Sequence, residues 1–223
     1  MSKRQLGEPR PPLTVTRVEV KVRALAGLAR ADDEELARAL IAKVPGAATV
    51  VWERFTPLVR RILRRALGPS QNIEDLVQEV FLRLFLKVHE LREPKVLKAF
   101  IISITTMTVR SELRRRQARS WLGFSPDATV LDLRVVHPDP AGRQALGRFY
   151  ELLDRFNARD RMAFVLRFIE GMSLIEVSEA LRVSVSTTKR SLLYVRRRLL
   201  EHVQRDPLLA EYLTEASGKH DLE

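Results

Sequence analysis

Residues 171–199 read Gly-Met-Ser-Leu-Ile-Glu-Val-Ser-Glu-Ala-Leu-Arg-Val-Ser-Val-Ser-Thr-Thr-Lys-Arg-Ser-Leu-Leu-Tyr-Val-Arg-Arg-Arg-Leu. Ser173 and Glu176 stand at the S-x-x-E spacing of a capping box, which starts a helix. Val177 and Leu181 give that helix a buried side. Arg182-Val183-Ser184 is a short break, and Ser184 is placed to cap a second helix. In the second helix Val185, Thr188, Leu192, Val195 and Leu199 share one face. Ser186, Thr187, Arg190, Tyr194 and Arg197 share the opposite face, with Lys189 at its edge. Two short helices, a tight turn and a basic outer face read as a helix-turn-helix whose second helix enters a DNA major groove. Hydroxyls and guanidiniums on that face can reach base edges and phosphates. The plainer alternative is a helical hairpin with a solvated basic face.

Composition favours the first reading. The chain has 223 residues, a formal net charge of +11 and a pI near 10.6, so a polyanionic partner is expected. Arginines cluster after Arg110 and after Lys189, which fits a nucleic-acid footprint better than general solubility does. Cysteine is absent, which excludes disulfides and thiolate metal sites. His89, His137, His202 and His220 lack ligand spacing, so no metal or cofactor is expected. No apolar run has the length of a membrane span, and no signal-peptide core opens the chain, so a cytoplasmic protein is expected.

Outward from the helix-turn-helix, the chain reads as all-α. Residues 1–31 read as a flexible extension, with Pro9, Pro11 and Pro12 opposing regular structure and Thr16 to Val22 alternating like a short strand. Residues 32–119 read as a first helical domain. Leu36, Leu40 and Val44 share a face before the Pro45-Gly46 stop. Val51, Phe55, Leu58 and Ile62 point inward from a helix over Ala47 to Leu67. Asn72 caps the next helix, whose apolar side is Leu76, Val77, Val80, Leu84 and Val88. Its other side exposes Asp75, Gln78, Glu79 and Arg83. A helix from about Lys95 turns Leu97, Phe100, Ile101, Ile104 and Thr108 inward, then ends in the cationic run Arg110, Arg114, Arg115, Arg116 and Arg119. Residues 120–140 form an acidic, proline-punctuated linker. Residues 141–204 form a second domain, with Leu146, Phe149, Leu153 and Phe156, then Met162, Val165, Leu166 and Ile169, packing behind the helix-turn-helix. Residues 205–223 are a tail containing a short helix from Asp206 to Thr214.

Two motifs in this order carry a family resemblance. Glu74-Asp75-Leu76-Val77-Gln78-Glu79-Val80-Phe81-Leu82-Arg83 resembles the polymerase-binding helix of sigma domain 2. Leu166-Arg167-Phe168-Ile169-Glu170-Gly171-Met172-Ser173, continuing through the helix-turn-helix, resembles sigma domain 4. Over roughly Asp32 to Val203 the chain resembles a bacterial RNA polymerase sigma factor of the extracytoplasmic-function (ECF) group. The resemblance implies a non-enzymatic factor with core RNA polymerase, through its beta-prime and beta subunits, as partner. It implies docking through Asp75, Gln78, Glu79 and Arg83, an acidic face suited to a basic partner. It implies capture of the melted, single-stranded minus-10 element by Arg92, Lys95, Phe100, Met107, Arg110, Ser111, Arg114 and Arg115. It implies reading of duplex promoter DNA at minus-35 by Ser186, Thr187, Lys189, Arg190, Tyr194 and Arg197. An anti-sigma factor is a further candidate partner.

The chain departs from the family pattern at several positions. Phe100 stands for Trp, Leu97 for Phe, Met107 for Asn and Ser111 for Asp or Asn. Arg182 replaces a frequent Gly, and Lys189-Arg190-Ser191 replaces Lys-Ser-Arg. A thioether reads base edges poorly, so weaker discrimination is expected upstream in the minus-10 element, with binding resting on Arg110, Arg114 and Arg115. The alternative is that Met107 is a packing residue. A free-standing helix-turn-helix regulator that never engages polymerase is the competing reading of the whole chain.

Overall fold

Five of the described helices begin where a side chain satisfies an unpaired amide. In a computed structural model that describes residues 27–68, 72–121 and 139–211, the Asp32 carboxylate accepts from the Glu35 amide at 2.7 Å and starts α1, Asp33–Ile41. Helix α2, Ala47–Leu67, lies between Gly46 and Gly68, whose φ of +90° and +80° supply left-handed backbone at both ends. Helix α3 is Ile73–Lys87, and a 3₁₀ turn over Pro94–Val96 leads into α4, Leu97–Trp121. Asp139 caps α5, Pro140–Leu153, and Asn157 caps α6, Ala158–Phe164. A π-helical turn, Val165–Ile169, continues α6. Helices α7, Leu174–Leu181, and α8, Val185–Val203, complete the order. No strand occurs among the described residues. The all-α reading in two helical units therefore holds.

Several local expectations change. Helix α1 stops at Ile41, and Lys43 turns left-handed (φ 54°), so Val44 leaves the buried face and is exposed. Asn72 holds the N-cap position of α3 without a side-chain capping bond; its amide instead reaches Glu112 Oε1 at 3.4 Å. Residues 27–30, within the stretch expected to be flexible, form a helical turn whose Ala29 carbonyl accepts from Arg54 at 2.9 Å. The Thr16 to Val22 alternation, the linker residues 122–138 and the tail beyond Glu211 lie outside the described residues.

The cationic end of α4 is more than a solvated face. Glu112, 1% exposed, sits inside it with Arg115 at 3.2 Å, Arg116 at 3.1 Å and Arg119 at 3.3 Å. A buried carboxylate needs this company, because its desolvation is otherwise unfavourable by several kcal/mol.

One buried apolar cluster runs from Leu36 in α1 to Leu192 in α8, so both units share a core. Helix α4 packs on α7 and α6 along the seam. Polar bonds converge on the C-terminal turn of α2, where the Arg64 carbonyl accepts from the Gly68 amide and the carbonyls after it lack helical partners. Tyr150 Oη donates to the Arg64 carbonyl at 3.2 Å. Arg161 donates to the Ala66 carbonyl and pairs with Asp154. Arg116 donates to the Leu67 carbonyl at 3.0 Å. In return, Arg65 donates to the Ile169 carbonyl at 2.8 Å and meets Glu170 at 3.0 Å, while Arg61 Nε meets Glu170 at 2.8 Å. Burial pushes the Tyr150 phenol up and the Arg161 guanidinium down from their ordinary ranges.

Arg161 is the largest fully buried side chain. Arg161→Ala removes its stem from the core and a donor from the Ala66 carbonyl, but Asp154 stays hydrated. The expected loss is therefore about 2 kcal/mol, short of the cost of stranding a buried charge. A urea midpoint equal to that of the wild type would show that the seam adds nothing to stability.

Candidate nucleic-acid and partner-binding faces

The helix-turn-helix is built by two caps and one unusual residue. Ser173 Oγ accepts from the Glu176 amide at 3.2 Å, and Glu176 accepts from the Ser173 amide at 2.7 Å, which completes the capping box. Those bonds hold the Glu176 carboxyl below its ordinary range. Helix α7 ends at Arg182, which adopts left-handed backbone (φ 55°, ψ 48°) at the position where glycine is unstrained. Its guanidinium donates to Ser103 Oγ on α4 at 3.2 Å, so the turn is tied to the other unit. Ser184 Oγ then accepts from the Thr187 amide at 3.2 Å and starts α8.

Thr188, Ser191, Leu192 and Val195 are buried on the inner side of α8. Ser186, Lys189, Arg190, Tyr194 and Arg197 are exposed on its outer side, and Thr187 is half-buried. The face named from the sequence is therefore brought together on one helix. Its members differ in freedom. Tyr194 packs edge-on to Phe156, with centroids 6.1 Å apart, and carries Arg198 over its ring at 5.9 Å. Arg197 lies 3.8 Å from Glu201, and Arg190 touches the Thr187 hydroxyl at 3.4 Å. A cleft of about 430 Å³ beside Thr187, Arg190 and Tyr194 is closed by Asn157, Arg159 and Asp160 of the α6 start. Sequence reasoning missed Arg159. It also missed Leu193, an exposed apolar residue on α8.

The α3 face is also assembled. Asp75 and Gln78 are exposed, while Glu79 and Arg83 are half-buried and paired with each other. Glu74 is taken up by Arg60 in a bidentate pair, both bonds at 2.7 Å, which lowers its pKa. Leu82 and Leu86, 61% and 66% exposed, continue the line from Gln78 at four-residue intervals. The sequence signal for them was available: both are apolar residues off the buried stripe.

The residues assigned to the melted strand are spread more widely. Phe100 is half-buried and packs on the core. Met107 is exposed, Ser111 is half-buried, and Arg92 and Arg114 are exposed. Lys95 is exposed beside Glu93 at 3.3 Å. Arg115 pairs with Glu112. Arg110 is half-buried at the seam, and burial, then Arg159 and Arg114, push its guanidinium below the ordinary range. Among the described residues no group of His, Asp and Glu could hold a metal ion, and no helix is long and apolar enough to cross a membrane.

This helix order matches known proteins. The family model for sigma-70 region 2 matches residues 51–119, and that for sigma-70 region 4 matches residues 146–199, together more than half of the chain. The chain carries sigma-70 regions 2 and 4 and is similar to sigma factors of the ECF group. It is 30% identical over 125 residues to the ECF RNA polymerase sigma factor SigX of Bacillus subtilis, covering 54% of this chain and 64% of SigX. It is 29% identical over 147 residues to the ECF factor SigE of Mycolicibacterium smegmatis, covering 65% of this chain and 57% of SigE. The chain thus spans less than two thirds of the length of both relatives. The fold is similar to that of CnrH in complex with the cytosolic domain of CnrY, with a TM-score of 0.57 and 20% identity over 78% of this chain and 98% of that one. It is also similar to the sigma factor RpoE in complex with the anti-sigma factor NepR from Bartonella quintana, with a TM-score of 0.52 and 23% identity over 69% and 94% of the two chains.

The capping box generates a pH dependence. The Glu176 carboxyl is depressed in the folded state. Its contribution is therefore full above the ordinary carboxylate range near ~4.3 and is lost as pH falls through the lower folded value. Glu176→Gln should lower the melting temperature at neutral pH, and the gap to wild type should narrow in acid. A gap that stays constant from neutral to acid pH would show that the carboxylate's charge does not contribute. Ser173→Ala should cost about 1 kcal/mol.

Proposed function

We propose that this chain is a promoter-specificity factor that binds core RNA polymerase and directs transcription initiation. The carrying observation is the outer face of α8, presented by a doubly capped helix-turn-helix with Ser186, Lys189, Arg190 and Arg197 exposed together. In this reading α8 enters the major groove of the minus-35 duplex. The α3 face of Asp75, Gln78 and Glu79 docks on a basic surface of the beta-prime subunit. Leu82 and Leu86 add the apolar centre that such an interface requires. The beta subunit is a second contact. The exposed side of Met107, with Arg92, Lys95, Ser111 and Arg114, lines the path of the melted minus-10 strand. The factor carries no catalysis; polymerase does.

This function requires the two units to part. Elements named minus-10 and minus-35 lie about 25 base pairs apart, or roughly 85 Å of duplex. A globule of this size is only about 40 Å across. Residues 122–138 reach at most roughly 60 Å when extended, which supplies the missing span. The closed arrangement is then the form an anti-sigma factor would hold; the similar structure of RpoE contains an anti-sigma factor, and that of CnrH contains the cytosolic domain of CnrY.

A free-standing regulator would need no second face. The exposed Leu82 and Leu86 pair supports the polymerase reading, because it gives the charged α3 face the apolar centre within a polar rim that an interface has. Transcription in vitro with core polymerase on a randomised promoter library tests the function. Production of specific transcripts supports it; duplex binding without any polymerase-dependent transcript rejects it.

Two mutational outcomes follow. Leu82→Asp with Leu86→Asp, or Asp75→Lys with Glu79→Lys, should abolish core binding in pull-down while helical content is unchanged. Full retention of core by either folded double mutant removes α3 from the interface. Arg190→Ala should cost about 1–3 kcal/mol and relax one base position, whereas Arg197→Ala should weaken binding to all sequences and flatten its salt dependence. Unchanged minus-35 affinity in both would exclude α8 as the reader.

A further inference from the structure

Behind the helix-turn-helix lies an apolar groove of about 500 Å³, bounded by Leu146 and Phe149 of α5, Phe168 of the π-helical turn, and Leu199, Leu200 and Val203 of α8. Phe168 and Leu200 are both more than half exposed there. The groove is on the second unit, away from the outer face of α8.

The chain itself re-enters this groove after α8. Asp206 accepts from the Leu208 and Leu209 amides at 3.2 and 3.3 Å and starts a further helical turn over residues 207–211. Pro207 follows the cap, where proline suits a helix start. Leu209 is 6% exposed and lines the groove. The described residues end at Glu211, directly beyond this anchor. The sequence continues Tyr212-Leu213-Thr214-Glu215-Ala216-Ser217-Gly218. At helical spacing Leu209, Tyr212, Leu213 and Ala216 fall on one face. Glu211, Thr214, Glu215 and Ser217 fall on the others, and Gly218 is a helix stop. An apolar stripe therefore continues in register from a leucine that is already seated. Glu211 and Glu215 fall on the polar side away from the stripe, and Arg196 stands at the groove wall.

We propose that residues 207–217 form one amphipathic helix that lies in this groove, so that the chain's own C-terminal segment is its occupant. Any partner helix that binds there must first displace that segment, which lowers the partner's apparent affinity by the fraction of molecules with the groove free. The inference rests on the seated Leu209 and the sequence beyond it, and stands whether or not the chain acts on promoters.

The test uses the full chain with a photo-cross-linking p-benzoylphenylalanine at Tyr212, followed by peptide mapping. Attachment within the same chain to residues 146–149, 168 or 199–203 is expected. Attachment to a second copy, or to any other part of the chain, overturns the proposal. A second measurement needs no cross-link. Leu213→Asp should raise the fluorescence of an apolar-surface dye several-fold without loss of helical content, and a synthetic peptide of residues 206–217 should reverse the rise. Dye binding equal to wild type, or a rise that the peptide does not reverse, overturns it equally.

Discussion

The closed structure depends on how the last turn of α2 is terminated. A helix C-terminus exposes carbonyls that carry partial negative charge, and water or donors must meet them. Here the donors come from α4 and from the second unit: Tyr150 to Arg64, Arg161 to Ala66, Arg116 to Leu67. Burying that turn is tolerable only because these donors are present. The same donors are what draw α5 and α6 onto α2, and with them the π-helical turn whose Glu170 lies between Arg61 and Arg65. Helix capping and domain packing are thus one set of bonds.

That set is also the obstacle to the proposed function. Parting the units strips two donors, Tyr150 and Arg161, from the α2 carbonyls, while Arg116 of α4 stays on Leu67; it also exposes Arg161 and separates Glu170 from its arginines. Water replaces each of these bonds, so the net polar loss is modest. The apolar contact of α4 with α7 and α6 has no such replacement. Closure is therefore held mainly by shared core and given its register by the polar seam. A partner that opens the chain must offer comparable apolar area, and Leu82 and Leu86 on α3 lie on its surface, available without prior opening.

Most of the fold was legible because its signals are local. Capping residues, Gly stops and 3.6-residue periodicity sit within a few positions of the helix they define, and Ser173, Glu176, Ser184 and Gly68 all act as the sequence reads. The faces of α3 and α8 followed from the same periodicity. What was missed is long-range. Nothing near Arg161 or Glu170 in sequence says that they will be buried against residues about a hundred positions away. Asn72 reads as a cap, yet its amide goes to Glu112 across the fold. The cationic run on α4 reads as a solvated footprint, yet Arg115, Arg116 and Arg119 are organised around one buried carboxylate. Val44 followed its periodicity on paper, but α1 had already ended. Leu82 and Leu86 could be read as apolar, while their standing at the centre of a face required the packed neighbours.

The count of 39 lysines and arginines therefore overstates the number of free cations. Arg60, Arg61, Arg65, Arg116 and Arg119 are engaged with carboxylates inside the fold. Arg61 and Arg65 share Glu170 only while the units are closed. Opening would separate that carboxylate from two cations on the α2 surface, so the net charge is unchanged but the local positive field of α2 is stronger in the open chain. Polyanion binding and opening are then coupled in the same direction. Salt acts on the two halves unequally: it screens the exposed cations and weakens phosphate contacts, but leaves the apolar seam of α4 with α6 and α7 intact. Rising ionic strength should accordingly favour the closed form over the DNA-bound one, through electrostatics alone and without any change in the seam's packing.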